Sequence, residues 1–397
     1  MSLPPGDVVI VGGGPAGATT AIAIAKLAPK LLSRVVVLEK GVFPRDKYCA
    51  GAIGRRGEKI LEGLDASPDV PSAPVDGICF RTKDGESSAR PGRIGRVIRR
   101  IEFDHALVQI ARSRGVKVED GVRVEAVRPG ADGAEVVTSK GTIRASVVVG
   151  ADGVGSVVRR AMGIGPGRLR AQVVEVDTGP APGDPDRRVL RFDVADRALC
   201  GYYWDFPTVS GGKELWCRGV YWLALDGERS DVHAVLERRL EAIGLDLAGC
   251  REKRYAERGF EPAARVADGR LLLVGEAAGI DPVTGEGIPQ AIEFGAMAGK
   301  FLADATTPAD IAAWQQVVRK SRLFRDLSIR TRLVRSFYGQ SRPAMERFAQ
   351  SCPSAIHLGC QHFAGEPYDR LKLAEVAVRG SFLIAGIRAR KALRPRP

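Results

Sequence analysis

At 397 residues, with 45% hydrophobic and 27% charged residues, the chain has the composition of an ordinary globular protein that is too long for one core, which excludes fibrous and disordered classes. Seven cysteines, an odd number without a Cys-x-x-Cys pair, argue against a disulfide scaffold and for a reducing, cytoplasmic setting, and four histidines without ligand-like spacing leave no metal site expected. The net charge of +13 sits at the C-terminal end, where residues 311–397 hold 17 Lys and Arg against 5 Asp and Glu.

No run of about 18 apolar residues is present, so no bilayer-spanning helix is expected. The apolar run from Val8 lacks a basic lead-in, so no signal peptide is expected either. That run, Val8 to Val11, reads as a strand leading into Gly12-x-Gly14-x-x-Gly17, with Pro15 and Ala16 inside the turn and an Ala-rich helix after it. Gly12 permits a tight strand-to-helix turn, Gly14 lets backbone approach a pyrophosphate, and Gly17 lets helix and sheet pack closely. The helix N-terminus adds free N–H groups and the positive end of its dipole. A second strand, "RVVVLEK", ends in Glu39 and Lys40, and Glu39 stands 22 residues after Gly17. An acid at that distance accepts hydrogen bonds from an adenosine ribose.

Next comes "FPRDKYCAGAIG" (43–54), holding Cys49, Ala50 and Gly51, and then "RRIEFDHAL" with Arg100. The segment "ASVVVGADGVGSVVRR" (145–160) is another apolar strand running into Asp152. Residues 166–264 alternate in strand fashion, and a Gly/Pro-rich loop falls at 179–185. Within them "CGYYWDFPT" (200–208) holds four aromatic residues in a chain that is 6% aromatic. In a strand, Tyr202, Trp204 and Phe206 share a face, and Pro207 is expected to end the ladder. Alternating aromatics are most often plain sheet packing, and a lone cysteine is most often a small buried hydrophobe. An amphipathic helix is expected over 231–243. The stretch 269–300 reads as a third strand, then Gly275 and Glu276, then Thr284-Gly285-Glu286-Gly287-Ile288 opening a helix. From residue 311, Trp314, Val317, Val318, Phe324, Leu327, Val334 and Phe337 recur at helical spacing among arginines.

A nicotinamide domain needs neither the second nor the third strand end. A flavin does, because its ribityl chain and ring extend past the pyrophosphate. The three segments in this order resemble the FAD-dependent oxidoreductases of the aromatic-hydroxylase type. That resemblance implies FAD as cofactor, with Arg100, Val124, Asp152, Gly275, Glu276, Gly285, Gly287 and Ile288 about it, together with Ala50 and Gly51. Glu276 stands where the group usually has Asp, one methylene shorter. The expected architecture is α/β: a Rossmann-like FAD-binding domain (1–70, 96–165 and 265–310) interleaved with an antiparallel-sheet substrate domain (71–95 and 166–264). A basic helical region (311–397) follows.

Pro44 to Gly51 and Tyr202-x-Trp204-x-Phe206-Pro207 together resemble the geranylgeranyl reductase family. The resemblance implies hydride transfer from reduced FAD to isolated carbon–carbon double bonds of an apolar or prenyl-lipid substrate. Tyr202, Trp204 and Phe206 would wall a water-excluding tunnel. Cys49 would lie near the flavin, tuning it or relaying a proton if activated. A flavin-dependent monooxygenase or halogenase is the alternative enzyme, since halogenases carry a similar aromatic strand. A non-catalytic flavoprotein acting in binding or maturation of another protein is the third reading. No second dinucleotide fingerprint is present, so the electron donor is NAD(P)H binding transiently, a ferredoxin or another flavoprotein. The basic C-terminus is either packed with solvated charges or makes a peripheral membrane contact. Nucleic acid is not expected as a partner, for want of a groove-reading motif.

Overall fold

The computed structural model describes residues 8–224, 231–282, 284–305, 311–339 and 341–392. The first strand, Val8–Val11, is buried along its whole length, because helices and a second sheet cover both faces of the layer it joins. That layer has six strands. From one edge they are Ala267–Asp268, Leu271–Leu273, Val147–Gly150, Val8–Val11, Val35–Glu39 and Lys117–Asp120, parallel except for the first pair. Two helices, Pro15–Leu27 and Ile288–Asp304, pack against each other, and small residues let them approach. A Cβ on Gly295 would lie 2.4 Å from the Ala16 carbonyl oxygen, and one on Gly299 would lie 2.4 Å from the Ala23 Cβ. A three-stranded antiparallel sheet, Val124–Gly130, Gly133–Thr138 and Gly141–Ala145, adds to this unit.

A seven-stranded sheet forms the second layer. Its order is Lys253–Arg258, Arg170–Thr178, Lys213–Ala224, Gly201–Ser210, Val189–Asp193, Gly77–Thr82 and Gly85–Ala89. All neighbours are antiparallel except Val189–Asp193 beside Gly77–Thr82. A small sheet of Ala52–Gly54, Gly95–Ile98 and Ser72–Val75 lies at the junction of the two layers. The chain is thus α/β, with a Rossmann-like nucleotide layer, an interleaved mainly antiparallel sheet and a helical C-terminal region.

One expectation fails. Pro207 does not end its strand, which continues to Ser210. The ladder with Lys213–Ala224 runs through Pro207↔Trp216 to Ser210↔Lys213, whereas the ladder with Val189–Asp193 stops at Arg191↔Asp205. Pro207 therefore sits where one side of the strand is an edge, and a residue without an N–H is tolerated there.

The helix expected over 231–243 spans Val232–Glu241, with the Asp231 side chain accepting from the Ala234 N–H at its start. Beyond residue 311 lie Trp314–Lys320, Arg322–Phe337, Arg342–Ser351, Pro353–Ala364 and Arg370–Ala392. Trp314, Val318 and Leu327 are buried in the nucleotide-layer core, and the Trp314 indole N–H donates to the Leu273 carbonyl at 3.1 Å. Val317 instead is exposed, as are Leu371, Val378 and Phe382 farther on. Among the described residues no helix is long and apolar enough to cross a membrane. None of the seven cysteines forms a disulfide.

Candidate active site

One cavity of about 710 Å³ runs from the carboxyl ends of the parallel strands to the face of the seven-stranded sheet. In open parallel sheets that edge is where ligands bind. At its nucleotide end, Gly12 has φ +105°, and a Cβ there would lie 2.3 Å from the Ala151 carbonyl oxygen. A Cβ on Gly17 would lie 1.9 Å from the Gly12 carbonyl oxygen. Gly17 therefore serves the packing beneath the loop and does not line the cavity; Gly275, against the Ala16 Cβ, does the same. Gly14 differs. A Cβ there would meet only Arg100 Nη2 at 3.8 Å and Arg45 Nη2 at 3.9 Å.

These observations test whether FAD fits. The helix starts at Pro15 without any side-chain cap, so its first-turn N–H groups have no side-chain acceptor, and Pro15 and Ala16 line the cavity. Two guanidinium groups stand beside that turn. Glu39 accepts from the Gly13 N–H at 2.9 Å, the Gly41 N–H at 3.0 Å and Arg45 Nη2 at 3.2 Å. A carboxylate offers about four acceptor positions, so capacity remains for a ribose hydroxyl. Asp152 accepts the Val157 N–H at 2.7 Å through Oδ2, while its Oδ1 is buried without a partner. That orphaned oxygen is a ready acceptor for a cofactor hydroxyl. Lys40, Val124, Glu276, Gly287 and Ile288 also line the cavity. The donor and acceptor set suits a dinucleotide.

Arg100 owes its position to Asp104, one helical turn on, which it grips with Nε at 2.6 Å and Nη2 at 2.7 Å. Arg45 shares the same carboxylate at 2.9 Å. Burial opposes the Arg100 charge, but Asp104 more than compensates and raises its pKa. Cys49 and its neighbours Ala50 and Gly51 line the middle of the cavity. Gly51 has φ +82°, and a Cβ would lie 1.9 Å from the Ile98 carbonyl oxygen, so this turn requires glycine. Burial raises the Cys49 thiol above its ordinary value despite Arg100, so it is held neutral.

Strand register arranges the far wall. Tyr202 pairs with Tyr221, Tyr221 with Val173 and Val173 with Tyr255; one step along the strands, Trp204 pairs with Gly219 and Gly219 with Glu175. The same face therefore carries Tyr202, Trp204 and Phe206, and the Phe192 ring packs edge-on between Tyr202 (5.3 Å) and Phe206 (5.2 Å). Tyr202 stacks on Tyr221 at 5.1 Å. Both hydroxyls reach the glycine-rich loop: Tyr202 donates to the Thr284 carbonyl at 2.7 Å and Tyr221 to Asp281 at 2.5 Å. Gly285, at φ +72°, has the Tyr202 hydroxyl 2.3 Å from where a Cβ would stand. From the other side, Arg330 of the C-terminal helices pairs with Glu286 and donates to Thr284 Oγ1 at 3.1 Å.

Several cavity residues were not singled out from the sequence: Phe192, Tyr221, Tyr255, Glu257, Asp281 and Phe363. An acid within the apolar run Val173 to Val176 was a usable signal for Glu175, whereas Glu257 lies in a strand rich in charge and gave none. Glu175 lies beneath Cys49, accepting its N–H at 3.1 Å and the Tyr255 hydroxyl at 3.1 Å. Burial pushes its pKa up to about 7, only partly offset by Lys253.

Comparison with known proteins agrees with this picture. A family model described as an FAD binding domain matches residues 84–186. A digeranylgeranylglycerophospholipid reductase from Methanothrix thermoacetophila is 29% identical over 351 residues, covering 77% of this chain and 79% of the relative. A geranylgeranyl bacteriochlorophyll reductase-like protein from Thermoplasma acidophilum superposes with a TM-score of 0.76 at 19% identity, over 96% of this chain and 98% of the other. A flavin-dependent brominase shares the fold with a TM-score of 0.66 at 17% identity, over 95% of this chain and 99% of its own.

Proposed function

We propose that this chain, an FAD-dependent oxidoreductase similar to digeranylgeranylglycerophospholipid reductases, reduces carbon–carbon double bonds of a prenyl chain or similarly apolar substrate. The observation that carries the reading is the continuity of one cavity from the dinucleotide cradle to the aromatic face of Phe192, Tyr202, Trp204 and Phe206. When bound and reduced, FAD supplies a hydride. An isolated alkene also needs a proton and a dry environment, because it offers no polar group for activation. The aromatic face contributes large, rigid apolar area against which such a chain lies, and it excludes water. The loop 284–287, held by Tyr202 from one side and Arg330 from the other, supplies backbone at the flavin end. We assign Gly12, Gly14, Glu39, Arg100 and Asp152 to holding the cofactor, and the neutral Cys49 thiol to a place between cofactor and substrate.

The terminal helix supports a peripheral membrane contact, which suits collection of an insoluble substrate. Leu371, Val378 and Phe382 stand exposed on it, with Arg370 and Arg379 nearby.

The test is anaerobic. The purified holoprotein is reduced with dithionite and mixed with a geranylgeranyl lipid. Flavin reoxidation with formation of a saturated product is the expected result. Reoxidation only after oxygen is admitted, with hydroxylated or halogenated product, would overturn the reading and favour the oxygenase chemistry that the shared fold also serves.

A further inference from the structure

Reduction of an alkene needs a proton donor, and the side chains facing the cavity differ sharply in whether they hold a proton to give. Four phenols line it. Three have the hydroxyl hydrogen engaged, Tyr202 on the Thr284 carbonyl, Tyr221 on Asp281 and Tyr255 on Glu175, and the fourth, Tyr48, accepts from Arg251 at 3.4 Å. The Cys49 thiol is protonated but is a weak acid, since burial raises it further above its ordinary value of 9.0. Glu257 is different. It belongs to the edge strand Lys253–Arg258, opposite Ala171, on the face that also carries Tyr255 and Tyr221.

A bridge between Gly259 and Asp281, with the Phe260 N–H donating to the Asp281 carbonyl at 2.7 Å, brings that strand to the flavin-side loop. There the Glu257 carboxyl and that of Asp281 line the same part of the cavity, close enough for the Asp281 charge to act on Glu257. Two neighbouring carboxyls taken out of water cannot both ionise without strong like-charge repulsion, so the pair holds a proton. Asp281 already accepts from the Thr284 N–H at 2.9 Å, the Gly285 N–H at 2.9 Å and the Tyr221 hydroxyl at 2.5 Å. Three donors favour the anion on Asp281, which leaves the proton on Glu257.

We propose that Glu257 is the acid that protonates the alkene, with Asp281 and Tyr221 positioning it. The inference rests on the reading of the chain as an alkene reductase. In the step, the Glu257 O–H bond breaks and its proton forms a C–H bond at one alkene carbon. The other carbon receives a hydride, with its electron pair, from the reduced flavin, which is left oxidised. The product is the saturated bond. Glu257, left as a carboxylate beside the Asp281 anion, regains a proton from solvent. Burial and the neighbouring Asp281 and Glu276 charges hold the Glu257 acid well above the ordinary carboxyl range, and Lys47 opposes them only in part.

The experiment uses FAD-loaded wild type, Glu257→Gln and Glu257→Asp, each reduced anaerobically and mixed with a geranylgeranyl lipid. Wild-type reoxidation is required by the underlying reading; without it that reading fails, and the inference with it. Given wild-type turnover, Glu257→Gln should slow reoxidation by about 10²–10⁴-fold, and Glu257→Asp should stay at least about tenfold faster than the Gln variant. A second readout needs no turnover: the infrared difference spectrum between wild type and Glu257→Gln at neutral pH should contain a protonated-carboxyl band. Unchanged reoxidation in Glu257→Gln, equal rates in the two variants, or a difference spectrum without that band overturns the assignment.

Discussion

The two halves of one sheet face are built on opposite principles. On the strands Val189–Asp193, Gly201–Ser210 and Lys213–Ala224 the face is aromatic, and register leaves room for it: Trp204 lies opposite Gly219, where a Cβ would fall 2.2 Å from the indole. On the strands Arg170–Thr178 and Lys253–Arg258 the same face carries Glu175, Asp177, Lys253, Tyr255 and Glu257. Lys253 donates to Asp177 at 2.7 Å, and Arg99 grips that carboxylate with two bonds at 2.9 and 2.7 Å. The aromatic half acts through area, which is non-directional and suits a featureless chain. The polar half acts through fixed charge in a poorly solvated place, where each proton is held or released by its neighbours. A sheet can thus offer grip and chemistry side by side, because its pleat keeps both on one face.

The strongest way to break this comparison is to remove the largest part of the aromatic half. Trp204 is only 3% exposed, and Trp204→Ala should cost about 3–5 kcal/mol of stability. Prenyl-substrate binding should weaken at least about tenfold, while FAD content of the purified protein stays nearly unchanged. Chemical denaturation, flavin absorbance and equilibrium binding check the three parts. Loss of FAD in step with substrate would mean that the aromatic half holds the cofactor, and the division into halves would fall.

The polar half is probed by pH. The ordinary carboxyl value of 4.5 rises for Glu175 to about 7 in the fold, mainly through burial. The folded chain then binds this proton more tightly than the unfolded chain. The resulting stability is fully present below about pH 4.5 and is lost as pH rises through about 7, a span worth about 3 kcal/mol. Lys253, Arg99 and Tyr255 favour the charged form and Asp177 disfavours it, so the window belongs to this cluster. Glu175→Gln should flatten the fall of stability between pH 5 and pH 7 relative to wild type. Denaturation midpoints across that range decide it, and parallel curves for the two proteins would show that Glu175 does not titrate there.

The unequal legibility of these halves has a physical cause. The nucleotide loop could be read from the chain because its geometry is local: Gly12, Gly14 and Gly17 act within a few residues, and Glu39 follows on the next strand. Tyr202, Trp204 and Phe206 were readable because alternation along one strand fixes a shared face. Glu257 was not, since its place depends on pairing with Ala171, which is 86 residues away, and on a bridge that brings up Asp281. Phe363 and Arg330 come to the cavity and its loop from a C-terminal region whose composition advertised only basic helices. Pro207 misled for a related reason: whether a proline interrupts a strand depends on which side is paired, and that is decided by a distant neighbour.

The smallest effect tests the border between the halves. Tyr202 belongs to the aromatic face by its ring, stacked on Tyr221 at 5.1 Å, but its hydroxyl leaves the face to hold the Thr284 carbonyl at 2.7 Å. Tyr202→Phe keeps the ring and removes that one hydrogen bond, at a cost of about 1 kcal/mol. If the hydroxyl serves the loop, the loss should appear as a roughly fivefold weaker FAD affinity, since about 1 kcal/mol corresponds to that factor. Substrate affinity should then change by less than about twofold, because the apolar surface is intact. Titration of the apoprotein with FAD and of the holoprotein with a prenyl lipid separates the two. The reverse pattern, with FAD affinity kept and substrate affinity lost, would place the hydroxyl in the substrate's path and move the border of the polar half across Tyr202.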